Sequence, residues 1–238
     1  MSNLSMQNYK KKQITIVGYG QLGKTIKKIV DTVFKVKTCT KNSYDKKLFK
    51  DSDFVILCLR NDSAETINRT LGWTKKSCIF VDHSTVNPNE YDKIKDKVHL
   101  LDCPVTKSRL ALPFITMVGG KKTILDKARS LLRLYCEKII HMGVLGTGQK
   151  AKLVNQLCAI YCLHGVNDAI KLSKTFKLSH KKIHNMLLSG SANCVQLKNF
   201  KKLLQGNYKN KHIEKEIKSI MYYFKSFDKN VKNLYNNM

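Results

Sequence analysis

Hydrophobic positions in the first 140 residues fall into short solid runs, separated by mixed polar and apolar segments of helical length. Ile14, Thr15, Ile16 and Val17 form a β-branched run, the composition of a strand buried on both faces. A glycine turn follows, then KTIKKIVDTVF, whose Ile26, Ile29, Val30 and Val33 recur at helical spacing. The same rhythm predicts strands at 36–39, from Asp53 into a polar loop ending at Asp62, and at 77–81, 98–101, 114–118 and 138–141. A helix is expected over 123–134. Strands alternating with helix-length segments predict a βαβ series and a parallel sheet. From Gln149 the pattern turns helical. A long segment runs to Phe176, interrupted only by Gly165, and shorter helices follow near 179–188, 195–204 and 213–227. The expected fold is α/β: a doubly wound sheet over 13–148, then a small all-α domain over 149–238.

The turn after the first strand carries the first chemistry. Gly18, Gly20 and Gly23 give G-x-G-x-x-G between a predicted strand and a predicted helix. In that context Gly18 permits the tight turn, Gly20 lets a pyrophosphate approach the backbone, and Gly23 lets helix and strand pack closely. Gln21 and Leu22 open the helix, whose free N–H groups and positive dipole end suit phosphates. A Rossmann domain holding a dinucleotide is the expectation. Thr40 and Lys41 stand after the second strand, where an acid would hold the ribose of NAD. With a lysine there and no acid, NADP(H) is preferred over NAD(H). Parallel sheets bind ligands beyond the carboxyl ends of their strands. The loops after Leu59, Val81 and Leu101 are therefore expected to hold cofactor and substrate.

Composition narrows the picture. With 238 residues, 42% of them hydrophobic, the chain can bury a real core, and no segment is apolar enough to span a bilayer. MSNLSMQNYKKK has no apolar stretch, so a loose tail is expected there rather than a signal peptide. Eight cysteines without a C-x-x-C pair suggest reduced thiols in a cytoplasmic protein. His180 and His184 lie four apart with no third ligand in context, so no metal is expected. Cys158 and Cys162, also four apart, are expected in the core of the long helix. The net charge of +27 invites nucleic acid, but arginine occurs only at positions 60, 69, 109, 129 and 133 and the lysines are spread evenly. The charge reads as a solvated surface that welcomes small anions, and nucleic acid is set aside.

Five stretches then combine: GYGQLG at 18–23, DHSTVNP at 82–88, DCPVTKS at 102–108, MVGG at 117–120 and GTGQKAKLVNQ at 146–156. In this order they resemble the β-hydroxyacid dehydrogenase family, relatives of 3-hydroxyisobutyrate and 6-phosphogluconate dehydrogenases. The resemblance implies a cytoplasmic NADP(H)-dependent oxidoreductase that moves a hydride between nicotinamide and a small hydroxy acid or its carbonyl counterpart. It also implies a homodimer formed through the helical domain. Lys152 matches the family's catalytic lysine and Asn155 the asparagine that helps hold the substrate. Three residues apart, they share one helical face. A lysine ammonium sheltered at a helix start, its pKa lowered, can donate or accept the proton at a carbonyl oxygen. Ser84, Thr106, Lys107 and Ser108 are implied on the substrate side, and Leu59, Thr85 and Lys215 beside the cofactor.

The chain also departs from the family's pattern. Thr106-Lys107-Ser108 stands where the family has S-G-G, and Gln156 replaces a second asparagine. Those departures keep an alternative open: a non-catalytic NADP(H)-binding protein descended from the family. His83 is read either as a second polar group on the substrate side or as a turn histidine. His141 is expected to be packed or paired with backbone.

Overall fold

The computed structural model describes residues 12–40, 43–60, 62–94, 97–107, 113–208, 217 and 220–221. Lys41, Ser108, Lys215, the amino-terminal tail up to Lys11 and, apart from Ile217, Ile220 and Met221, the helix expected near 213–227 lie outside these residues. The chain divides into two compact units that part between Lys152 and Leu153.

In the first unit, eight strands among the described residues form one sheet: β1 (Gln13–Val17), β2 (Lys35–Cys39), β3 (Phe54–Leu57), β4 (Ile79–Asp82), β5 (His99–Asp102), β6 (Val105–Lys107), β7 (Phe114–Gly119) and β8 (Cys136–Gly143). Their order is β2-β1-β3-β4-β5-β7-β6, with β8 also paired to β7. Helices α1 (Gln21–Val30), α2 (Lys46–Phe49), α3 (Ser63–Thr70) and α4 (Lys122–Leu132) connect the strands, and α5 (Thr147–Thr175) begins after β8.

Alternate residues of the buried strands feed two cores. Ile14, Ile16, Phe54, Ile56, Ile79, Val81 and Leu101 pack with α1 and α4 through Ile26, Val30, Leu125 and Leu132. Val17, Val55, Leu57, Phe80 and Leu100 pack on the other face with Phe49, Ile67 and Tyr91. This period of two, apolar in both phases, is what a parallel strand covered on both faces requires. Thr15 is the polar residue of β1's buried run: it is fully buried, and its hydroxyl donates 2.6 Å to the carbonyl of Leu48.

The sheet is parallel from β2 through β5, as the alternation predicts. It then departs. β7 runs antiparallel to β5, and β6, an unpredicted strand, forms an antiparallel ladder with β7. Only eleven residues separate β5 from β7, three of them in β6, and a parallel pair needs a crossover of a dozen residues or more. Where α4 supplies such a crossover, β8 returns parallel to β7.

The second unit contains the rest of α5, then α6 (His180–Ser189), a 3-10 turn (Val195–Asn199) and α7 (Phe200–Leu204). The helix predicted over 195–204 is thus a tight turn followed by a short α-helix. Gly165 does not break α5. Ile160, Leu163, Val166 and Ile170 form its buried stripe against Leu197, Phe200 and Leu203. Cys158 and Cys162, expected in that core, are exposed. Each sits two positions from Ile160, about 200° around the helix and off the stripe.

Candidate functional site

The glycine turn has the conformation its sequence demands. Gly18 adopts φ +95°, and its N–H donates 3.0 Å to the carbonyl of Cys39 at the end of β2. A Cβ on Gly18 would lie 2.4 Å from the carbonyl oxygen of Cys58, and one on Gly23 would lie 2.1 Å from that of Gly18. Gly20 differs: a Cβ there would meet nothing within 4 Å. It is the N-cap of α1, no side chain caps that helix end, and its first turn carries no acid. The opening above Gly20 and the uncapped N–H groups fit a diphosphate. Lys24 adds a cation, its ammonium 5.6 Å from the ring of Tyr19 in the turn. Thr40, exposed just after β2, donates its N–H to the Ser43 hydroxyl at 2.9 Å.

Beyond the carboxyl ends of β4 and β5 lies a buried polar cluster. Asp82 and Asp102 are register partners, both fully buried. Asp82 accepts from the Tyr91 hydroxyl and the Ser84 N–H, each at 2.8 Å. Asp102 accepts from the N–H groups of Gly146 and Gln149, also at 2.8 Å each. Burial raises the Asp82 carboxyl above its ordinary range, and pushes that of Asp102 up to about 7 against the two amide donors. The Gln149 amide donates to the Ser84 carbonyl at 2.8 Å and to the Tyr91 hydroxyl at 3.2 Å, and accepts from the Val86 N–H at 3.3 Å. The first turn of α5 is thereby tied to the 82–88 loop.

Lys152 follows Gln149 on the same face of α5. It is 9% exposed, and its ammonium donates 3.0 Å to the carbonyl of Val105, the residue before Thr106. Lys152 thus stands beside the start of the segment in which the resemblance implies substrate contacts. Thr106 is half-buried in β6, next to Lys107. Asn155 is half-buried in the second unit, where its amide donates 2.9 Å to the side-chain oxygen of Gln156.

Other predicted residues take supporting positions. Ser84 is 2% exposed, and its hydroxyl accepts 2.9 Å from the Leu59 N–H, linking the loops after β3 and β4. Leu59 is half-buried, with Cδ2 3.1 Å from where a Gly18 Cβ would stand. Gln21 is exposed, while Leu22 and Thr85 are half-buried. The turn after Thr85 is capped by Asn87, in a reciprocal capping box with Glu90.

His83 is neither a substrate group nor a turn histidine. It is buried, its Nδ1 2.6 Å from the Cys103 carbonyl and its Nε2 2.9 Å from the Tyr135 hydroxyl. Nδ1–H donates to the carbonyl, so Nε2 accepts from tyrosine. Burial pulls its pKa down from 6.5 to about 4. The fold keeps the ring neutral while the unfolded chain takes up a proton. Its stabilising effect is therefore complete above pH 6.5 and is lost as pH falls toward 4. Asp82 and Asp102 act with the opposite sign, so the test compares two proteins. Between pH 7 and 5, the wild type's Tm is expected to drop relative to that of His83→Asn. Parallel Tm profiles would refute the assignment.

His141 pairs with backbone as expected, its Nε2 2.8 Å from the Gly120 carbonyl. His184 stacks on Phe200 at 4.6 Å. Among the described residues no group of three His, Cys, Asp or Glu could hold a metal ion. Sequence reasoning missed Asp82, Tyr91, Asp102 and Gln149. The available signal was a carboxylate closing two successive buried strands, since buried acids are rare unless partnered.

A family model described as the NAD binding domain of 6-phosphogluconate dehydrogenase matches residues 1–143. The mitochondrial 3-hydroxyisobutyrate dehydrogenase of Drosophila melanogaster is 30% identical over 160 residues, covering 62% of this chain and 49% of its own. The chain spans about half the length of such curated relatives. Among solved structures, Mycobacterium tuberculosis 3-hydroxyisobutyrate dehydrogenase with L-serine aligns at TM-score 0.76 and 20% identity, over 90% of this chain and 87% of that one. A protein described as Psf3 in complex with NADP+ and 2-OPP aligns at TM-score 0.70 and 17% identity, over 82% and 80%. Both show a likeness of fold. Since the family model covers more than half of the chain and the glycine turn has the matching geometry, the chain belongs to the β-hydroxyacid dehydrogenase family and carries its NAD(P)-binding domain.

Proposed function

We propose that this protein is an NADP(H)-dependent oxidoreductase that interconverts a small anionic hydroxy acid and its carbonyl counterpart. The observation that carries the reading is Lys152: a nearly buried ammonium, held at the carbonyl beside Thr106, on the helix seated against β5. When bound, the cofactor supplies or takes up the hydride. Gly18, Gly20 and Gly23, with the N–H groups of Gln21 and Leu22, would hold its diphosphate. Leu59, Thr85 and Lys215 would flank it. Thr40 and Lys41 would face the adenosine ribose, where a lysine suits a 2′-phosphate. Lys152 gives a proton to the carbonyl oxygen in reduction and takes it back in oxidation. Asn155 and Thr106 orient the substrate, Lys107 and Ser108 attract its carboxylate, and Ser84 fixes the loop beside it. A relative named for 3-hydroxyisobutyrate and a structural neighbour with bound L-serine, itself a 3-hydroxy acid, support this substrate class.

The helical unit exposes Val154, Tyr161, Leu172, Phe176 and Met186, apolar surface that a second copy would cover in a homodimer. Buried thiols at Cys39, Cys78, Cys103 and Cys136 suit a reducing compartment, and we assign the cytoplasm. Among the described residues no helix is long and apolar enough to cross a membrane.

The test is NADPH titration followed by turnover with a panel of short 3-oxo acids and semialdehydes. Tighter binding of NADPH than NADH, with NADPH consumption on one panel member, is expected. Tight binding without turnover would favour the non-catalytic reading, which the Thr106-Lys107-Ser108 substitution supports. Failure to bind either nucleotide would defeat both.

A further inference from the structure

We propose that Asp102 is a positioning residue for the reaction: its carboxylate seats the start of α5 and thereby sets where Lys152 stands. This rests on the catalytic reading of Lys152. The start of α5 needs outside help, because Gly146, the residue before it, has no side chain with which to cap the helix. Asp102 supplies that cap from a distant strand. Its two oxygens accept from the N–H groups of Gly146 and Gln149, which bracket the first turn. A carboxylate at this end is also favoured by the helix dipole.

The surrounding backbone is shaped around that carboxylate. A Cβ on Gly119 would stand 2.2 Å from Asp102 Oδ1. One on Gly148 would stand 2.7 Å from Oδ2, and within 2.6 Å of the carbonyl oxygens of Met117 and Asp102. Two glycines in the motifs MVGG and GTG thus make room for one side chain. Asp102 governs both partners of the Lys152 contact. Its side chain holds the helix that carries Lys152. Its backbone leads in three residues to Val105, whose carbonyl receives the ammonium at 3.0 Å. Gln149 locks the same turn to the Ser84 carbonyl and Tyr91, so the first turn of α5 is held from two sides.

Asp102→Asn keeps the shape but turns one acceptor into a donor facing an N–H. In an otherwise unchanged protein, kcat is expected to fall about 30-fold, the scale of a misplaced catalytic group. KM and the NADPH Kd should stay within about twofold. The decisive measurement is the same substitution in a Lys152→Ala background. Acting through Lys152, Asp102→Asn should then change the residual rate by less than about twofold. An equal loss on both backgrounds overturns the positioning role and leaves Lys152 standing. Full activity in Lys152→Ala alone overturns the catalytic reading instead. Should the Asn variant be too unstable to purify, Asp102→Ser keeps one acceptor and is put through the same cycle. A lowered Tm with unchanged kcat per folded enzyme would mark Asp102 as a stability residue and overturn the proposal.

Discussion

Replacing Lys152 with alanine is expected to lower kcat about 10³-fold, within the range a positioned general acid contributes. The side chain is 9% exposed and anchored on the Val105 carbonyl, so alanine removes a proton donor held in one place. Nucleotide affinity should change little, because the diphosphate is expected at the Gly18–Gly23 turn rather than at α5. KM for the carbonyl substrate should rise only modestly, which separates proton transfer from binding. Stability should fall by about 1 kcal/mol, since the Val105 carbonyl loses a charged donor. Lys152→Arg should restore charge without restoring rate, because a guanidinium does not release a proton near neutrality. Steady-state NADPH oxidation at saturating substrate is the measurement. A kcat loss smaller than about threefold in the alanine variant would remove Lys152 from the chemistry.

The parts of this molecule that were legible from the sequence are those with local causes. The strand, glycine turn and helix at 14–30 could be read because φ at Gly18 and the approach of Gly23 are decided within six residues. The period-two partition of Ile14 and Ile16 from Val17 into opposite cores was implicit in a strand apolar in both phases. What escaped was decided at long range. The antiparallel run of β7 goes with the short connection after β5, part of which pairs as β6, and no periodicity marks that strand. Asp82 and Asp102 read as loop residues because a carboxylate closing an apolar run ordinarily meets water. Only their register across β4 and β5, and donors 44 and 47 residues away from Asp102, show them to be buried and partnered. His83 was misread for the same reason, since Tyr135 lies 52 residues on. Cys158 and Cys162 were misplaced by phase: a spacing of four says that two residues share a face, not which face is inside.

Two glycines of the turn, substituted one at a time, should separate the scaffold from the ligand cradle. Gly23→Ala is expected to be the more damaging to the fold. Its Cβ would stand 2.1 Å from a backbone oxygen that cannot swing aside, so α1 must lift away from β1. A cost of about 3 kcal/mol is expected, the upper part of the usual range for overpacking. For a unit of this size that is a fall in Tm of roughly 6–12 °C. Gly20→Ala should behave in the opposite way. At φ −78° and with nothing within 4 Å of the new methyl, alanine fits the folded chain without strain. It should leave Tm unchanged or raise stability by about 0.5 kcal/mol, through the lower entropy of the unfolded state. The same methyl lies at the uncapped start of α1, where a diphosphate would approach the backbone, so NADPH affinity should drop at least about tenfold. Thermal unfolding and NADPH titration of both variants read the two effects separately. An alanine at position 20 that binds NADPH as tightly as the wild type would show that the space above that glycine is not where the cofactor lies.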